Sequence, residues 1–198
     1  MDSRTGLRFV VVGTGRSATE YISRVFNGLG VRCGHESVFT RHGLVKNRGY
    51  VGDSSWRAPP HLGEFHGVVL HQIRHPLSVF NSMMGSPPAD RRPYIDTDCS
   101  EEVAAMRIYL GWNRMCERGS PYVRYRVEEL TPELVCSLCG IIGKHIQRDL
   151  AEKILKELPK NVNSKPRANY SWSELPDCVE KEELLLMGRR YGYKMEFA

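Results

Sequence analysis

No apolar run in the sequence approaches the roughly 20 residues that crossing a bilayer requires, so no membrane span is expected. There is no long lysine–arginine run of the kind that makes a nucleic-acid tail, although Lys and Arg outnumber Asp and Glu by 28 to 23, a formal charge of +5. That balance suits a polyanionic ligand without identifying one. No internal repeat or linker interrupts the 198 residues, which are enough for one well-buried core, and the expectation is one domain over 1–198. Six cysteines contain a single CxxC pair, Cys136 and Cys139, with no second pair to complete a zinc site, so the reading is two thiols on one helix face. His61, His66, His71 and His75 lie close in sequence, but strand alternation sends His66 and His71 to opposite faces, and no metal site is expected. The N-terminal apolar run lacks the flanks and length of an export signal and reads as a buried strand, which points to a cytoplasmic protein with reduced thiols.

What is present is an alternation of strand-like and helix-like segments. Residues 7–12 form a β-branched apolar run that stops at Gly13, as a buried parallel strand does. Residues 19–29 carry Tyr21, Ile22, Val25, Phe26 and Leu29 at helical spacing, closed by Gly28 and Gly30. Residues 31–33 are a short second strand, and residues 41–60, rich in Gly, Ser, Arg and Pro, read as mostly loop. Residues 67–73 form the next core strand, with Pro76 opening a helix to about Met84. Residues 86–98 read as an exposed loop or lid, 101–118 as a long helix and 122–127 as a third clear strand. Thr131 and Pro132 start another helix. Residues 146–158 are amphipathic, 160–173 a polar loop and 180–191 a last helix. The pattern predicts a three-layer α/β fold with a central, mainly parallel sheet flanked by helices.

The most informative stretch is the passage from strand to helix through Gly13, Thr14, Gly15, Arg16, Ser17, Ala18 and Thr19. Glycines let the backbone turn tightly and bring N–H groups towards an anion, and the helix N-terminus adds unpaired donors and its dipole. Arg16 supplies a charged fork, with hydroxyls from Ser17 and Thr19. These features suit a phosphate. The loop is not the GxxxxGK[ST] form of nucleotide kinases, because no Lys follows a glycine. Gly13 and Gly15 fit the dinucleotide fingerprint with Ala18 third, but the acidic residue expected after a second strand is missing, since Glu36 comes too early. A second constellation follows the core strand: Arg74, at its carboxyl end, then His75, Pro76 and, two helical turns on, Ser82. An arginine there lies where open α/β sheets bind ligands, and it can share a crevice with Arg16.

With these two motifs the chain resembles the sulfotransferase superfamily, most closely its bacterial members and the tyrosylprotein sulfotransferases. The family's 5'-phosphosulfate loop is matched by Gly13–Thr19, with Ala18 for the usual Gly. Its 3'-phosphate motif is matched by Arg74, Pro76 and Ser82, with His75 for the usual Asp. Residues 32–37 resemble the segment that carries the base, which maps to Glu36. Asp53-Ser-Ser-Trp56 and Arg126-Val-Glu128-Glu-Leu130 look similar to further family stretches, so the likeness spans roughly the first 130 residues.

The resemblance implies 3'-phosphoadenosine 5'-phosphosulfate (PAPS) as donor and 3'-phosphoadenosine 5'-phosphate as product, with no metal. It assigns the 5'-phosphate to the amides of residues 14–19 with Ser17 and Thr19, the sulfuryl oxygens to Arg16, and the 3'-phosphate to Arg74 and Ser82. Glu36 is the expected base, with His35 its rival. Lys165 and Arg167, in a loop with Asn163 and Trp172, are further phosphate contacts, and Trp56 lines the acceptor pocket. The acceptor is a small molecule, carbohydrate or peptide, with the loops at 41–60 and 86–98 shaping its pocket. Oligomeric state stays open. Three other readings stand beside this one: a nucleotide-binding protein without turnover, a nucleotide or small-molecule kinase, and a Rossmann oxidoreductase.

Overall fold

The computed structural model describes residues 5–40, 43–85, 94–159 and 168–195. Strand β1 (Phe9–Val12) is buried along its whole length. Its alternation divides the core, as period-2 geometry requires. Phe9 and Val11 join one apolar cluster with Ile22, Val25 and Phe26, whereas Val10 and Val12 join another with Val38, Leu62 and Phe65. A strand with apolar residues on both faces belongs in the middle of a covered parallel sheet. It sits there: β2 (Cys33–His35), β5 (Gly52–Ser54), β1, β6 (Val68–Ile73) and β7 (Val123–Arg126) lie side by side in that order, every pair parallel. A small hairpin of β3 (Phe39–Thr40) and β4 (Gly43–Leu44) is inserted between β2 and β5.

Helices cover both faces. Side chains of α1 (Thr19–Gly28), α4 (Pro132–Ile141) and α5 (Arg148–Glu157) share the cluster that holds Phe9, Leu70 and Tyr125. On the other side α2 (Pro76–Met83), α3 (Glu101–Arg118) and α6 (Val179–Arg190) pack around Phe80, Met106, Tyr109 and Leu184. Helix starts follow their capping chemistry. Ser100 accepts from the Val103 amide at 3.4 Å to open α3, and Thr131 accepts from Leu134 at 3.3 Å to open α4, with Pro132 in the first turn.

The three-layer α/β architecture expected from the sequence is present, and helices near 19–29, 76–84, 101–118, 146–158 and 180–191 stand within about two residues of their expected bounds. Two strands differ. The second begins at Cys33, two residues after the start of the expected run. The segment 41–60, read as mostly loop, contains β5, an interior strand bonded on both sides. Its three residues are Gly, Asp and Ser, all buried, so no apolar run marks it. Cys136 and Cys139 both lie on α4. His66 is exposed just before β6, while His71 is buried in it, its Nε2 2.9 Å from Asn113 Oδ1. Among the described residues no helix is long and apolar enough to cross a membrane.

The chain runs from β1 to the edge strand β2 and back inwards to β5 on one side, then crosses to β6 and β7 on the other. The order therefore reverses between β1 and β6, and the carboxyl ends of strands at such a switch point are where open α/β sheets bind ligands. Gly13 follows β1 and Arg74 follows β6, so both sequence motifs arrive at this point.

Candidate active site

The loop from Gly13 to Ala18 is held by its own hydroxyls and by β6. Thr14 Oγ1 and Ser17 Oγ lie 2.6 Å apart, and the Ser17 amide donates to the Thr14 carbonyl at 3.1 Å. Gly13 is required by contact: a Cβ added there would lie 2.4 Å from the Gln72 carbonyl oxygen. The Gln72 side chain props the loop from below, donating to the Ser17 carbonyl while accepting from Tyr125 Oη at 2.8 Å. Arg16 and Ala18 both have positive φ, 74° and 63°. For L residues that conformation costs about 1–2 kcal/mol each, and such strain concentrates at ligand sites. Ala18 is also the residue before α1, and it gives that helix no side-chain cap. The first-turn amides of α1 therefore keep the donor capacity that suits an anion.

The second motif closes on the first. Arg74 Nη1 donates to the Arg16 carbonyl at 2.9 Å, and Arg16 Nε donates to Ser82 Oγ, also at 2.9 Å. Arg16, Arg74 and Ser82, far apart in sequence, thus form one polar wall at the switch point. Arg74 is itself positioned from behind, its carbonyl accepting from Tyr109 Oη at 2.9 Å. The neighbouring His75 amide donates to Glu128 Oε1 at 2.8 Å, and Tyr193 Oη donates to the other Glu128 oxygen at 2.8 Å. The His75 ring packs against Tyr193 and Trp172, with centroids 5.1 and 6.1 Å away. Burial, reinforced by the Arg74 charge, pushes the His75 imidazole below its ordinary pKa despite the opposing pull of Glu128.

A third group stands beside the loop. His35, at the end of β2, has Nε2 3.3 Å from Thr19 Oγ1 and 3.5 Å from Glu36 Oε1. Glu36 has φ 53°, a left-handed conformation uncommon outside Gly, Asn and Asp. Its amide donates to the Ser54 carbonyl at 3.1 Å, tying the turn to β5. Arg57 Nε donates to Glu36 Oε2 at 3.0 Å, and the Arg57 guanidinium lies 4.5 Å above the Trp56 ring. Trp56 continues into an aromatic row, 5.8 Å from Trp112, which is 5.9 Å from Tyr94. The expected base, its rival and the expected acceptor-side tryptophan therefore form one connected group next to Thr19.

The loop that carries Glu36 hangs on one buried carboxylate. Asp53 is fully buried and accepts from the Ser37 amide through Oδ1 and from the Val38 and Phe39 amides through Oδ2, at 3.1, 3.0 and 3.2 Å. Burial raises its pKa, against the pull of those three amides. Gly34 makes room for it, since a Cβ there would lie 2.7 Å from Asp53 Oδ1. Sequence reading assigned no role to Asp53, Arg57, Gln72, Tyr109 or Glu128. Asp53 and Glu128 stand within stretches that resemble the family, which is the one signal that pointed to them. Arg57, Gln72 and Tyr109 act through contacts between distant elements and left none. Lys165, Arg167 and Asn163 lie outside the described residues. Among the described residues no group of three or more His, Cys, Asp or Glu is placed to hold a metal ion.

No protein-family model matches the chain, and no curated protein does. Two solved structures resemble it along its whole length. A sulfotransferase domain from the curacin biosynthetic pathway aligns with a TM-score of 0.63 at 10% identity, covering 98% of this chain and 100% of that domain. The sulfotransferase domain of the Synechococcus PCC 7002 olefin synthase aligns at 0.58 and 12% identity, covering 98% of both chains. The chain thus has the fold of sulfotransferase domains, at matching length.

Proposed function

We propose that the protein is a sulfotransferase, moving a sulfuryl group from PAPS to an acceptor hydroxyl or amine by in-line displacement. The observation that carries this reading is the junction of the two phosphate motifs. Arg74 bonds the backbone of the glycine loop, and Arg16 from that loop bonds Ser82. The sulfotransferase fold supports the same reading independently.

The residues fit the nucleotide. The uncapped α1 terminus, with the Ser17 and Thr19 hydroxyls, suits the 5'-phosphate. Arg74 and Ser82 suit the 3'-phosphate, the guanidinium offering two parallel donors. When bound, PAPS supplies a sulfuryl group on a phosphate leaving group. Arg16 stands between the two phosphate-binding ends and stabilises negative charge that develops on oxygens there. Glu36 accepts the proton of the acceptor, and His35, between Glu36 and Thr19, orients that carboxylate from one side as Arg57 does from the other. No step requires a metal, because the arginines and the helix terminus supply positive charge. Trp56 forms a wall of the acceptor pocket.

Isothermal titration with 3'-phosphoadenosine 5'-phosphate tests this. Micromolar binding without added metal, weakened at least tenfold (about 1.4 kcal/mol) in Arg74→Ala, is the expected result. Absence of binding by the folded protein would overturn it. One feature favours a second reading, a nucleotide-binding protein without turnover: Ala18 puts a methyl group in a left-handed position where the family has glycine. Under that reading the nucleotide binds and no acceptor is sulfated.

A further inference from the structure

Residues 191–195 lead from the end of α6 to the turn that carries Arg74. The helix closes on a left-handed glycine: Gly192 has φ 80°, its amide donates to the Arg189 carbonyl at 2.9 Å, and the Tyr193 amide donates to the Gly188 carbonyl at 3.0 Å. The segment is then anchored three times without the Tyr193 hydroxyl. Tyr191 Oη donates to Glu117 Oε1 at 2.9 Å, and the Gly192 carbonyl accepts from Arg126. Met195 is buried against Gly188, where an added Cβ would collide with its Cε. The same Cβ would lie 3.2 Å from Pro76 Cγ, so Met195 and the first residue of α2 meet at one position on α6.

The turn at Arg74 and His75 has little support of its own. Pro76 carries no N–H, and α2 starts without a side-chain cap. Its backbone is held from two other elements instead, the Arg74 carbonyl by Tyr109 and the His75 amide by Glu128 Oε1. Glu128 stands in an exposed turn after β7, where a glutamate left to itself samples several rotamers. Tyr193 removes that freedom. Its Oη donates to Glu128 Oε2 at 2.8 Å, its ring lies 5.1 Å from the His75 ring, and the Arg126 guanidinium stands 5.3 Å from its centre. Burial, then the charge and hydrogen bond of Glu128, push the Tyr193 phenol well above its ordinary pKa, so it stays protonated and remains the donor. The hydroxyl therefore acts on Glu128 and not on the anchoring of its own segment.

We infer that this segment is part of the nucleotide site: Tyr193 is a positioning residue that acts through Glu128 and the His75 amide to fix the turn presenting Arg74, and so sets the affinity for the 3'-phosphate. The inference rests on the reading proposed above for the ligand of Arg74, but the residue it adds lies outside both phosphate motifs. A guanidinium makes two parallel bonds to a phosphate only when its backbone is held in place. Loosening the turn weakens that pair and leaves the 5'-phosphate end, which depends on the glycine loop and α1, as it was.

The test compares two nucleotides that differ only in the 3'-phosphate, 3'-phosphoadenosine 5'-phosphate and adenosine 5'-phosphate, titrated into the full chain and its variants. Tyr193→Phe keeps the ring and its packing and removes one hydroxyl. The expected result is a loss of about threefold to tenfold in affinity for 3'-phosphoadenosine 5'-phosphate, with affinity for adenosine 5'-phosphate unchanged. Glu128→Gln shifts the same ratio in the same direction. The double variant Tyr193→Phe/Glu128→Gln falls no further than Glu128→Gln alone, because the two side chains act in series. A merely structural role for Tyr193 would lower both affinities together. An equal loss for both nucleotides, no change in Tyr193→Phe, or additive losses in the double variant overturns the inference. The wild-type titration keeps the two readings apart. Absence of binding there removes the nucleotide reading and the positioning role with it. Binding that Arg74→Ala weakens and Tyr193→Phe does not removes the positioning role alone.

Discussion

The two halves of the site are built by different physics. Around β1 and β6, apolar strands buried on both faces fix the sheet, and the glycine loop and Arg74 emerge from their carboxyl ends. Functional groups there are held mostly by backbone: Arg74 on the Arg16 carbonyl, Tyr109 on the Arg74 carbonyl, Glu128 on the His75 amide. Around β2 and β5 the strands are three residues each, and β5 buries Asp53 and Ser54 with hardly any apolar side chain. What organises that half is one carboxylate accepting from three successive amides, and an ion pair from Arg57 to Glu36. The first half is robust to side-chain change because the hydrophobic sheet defines it. In the second, a single polar substitution removes the support of the loop that carries Glu36.

Substitution at Asp53 breaks this contrast most strongly. Asp53→Asn turns a donor group towards the Val38 and Phe39 amides or leaves Ser37 without its acceptor, and stability falls by about 3 kcal/mol, the scale of one or two buried donors left unpaired. Chemical denaturation measures the loss. In the fraction that stays folded, affinity for 3'-phosphoadenosine 5'-phosphate is kept while sulfuryl transfer drops, because only the second half has loosened. Equal loss of both would show that the halves are one unit.

Glu36→Gln separates chemistry from architecture. The amide preserves shape but accepts no proton, so kcat falls about 100-fold or more, with nucleotide binding unchanged. The pH–rate profile of the residual activity, compared with that of His35→Asn, identifies which of the two side chains takes the proton. A larger loss in His35→Asn than in Glu36→Gln would transfer the role of base to the imidazole.

The smallest effect lies in the first half and has the opposite sign. Ala18 holds a left-handed conformation at φ 63°. Ala18→Gly relieves that strain, offset in part by the greater freedom of glycine in the unfolded chain, for a net gain of roughly 0.5–1 kcal/mol in stability. Thermal denaturation reads the gain. A loss instead would mean that the methyl group packs favourably and that the strain is already compensated.

Legibility in the sequence follows the same division. Residues 7–12 and 67–73 announced their strands through continuous apolar runs, and Arg16, Arg74 and Ser82, singled out by motif, are residues that the fold joins by hydrogen bonds. The loop reading of 41–60 missed β5 because Gly52, Asp53 and Ser54 carry no hydrophobic pattern. Their strand conformation comes from parallel pairing with β1 and β2, neighbours that are remote in sequence. Arg57 was invisible for a similar reason: its partner Glu36 belongs to another loop, and no spacing rule joins the two.

The sequence by itself determined the strand-to-helix passages, the reversal-prone alternation of β and α elements, and the two motifs that stand at the ends of β1 and β6. These depend on short-range periodicity, glycine geometry and helix termini, all encoded within a few residues. The tertiary structure alone decided that the glycine loop and the Arg74 motif meet, and that Asp53 lies buried beneath the Glu36 loop. Those facts depend on which distant segments the parallel sheet sets side by side, and strand order is a property of the whole packed chain.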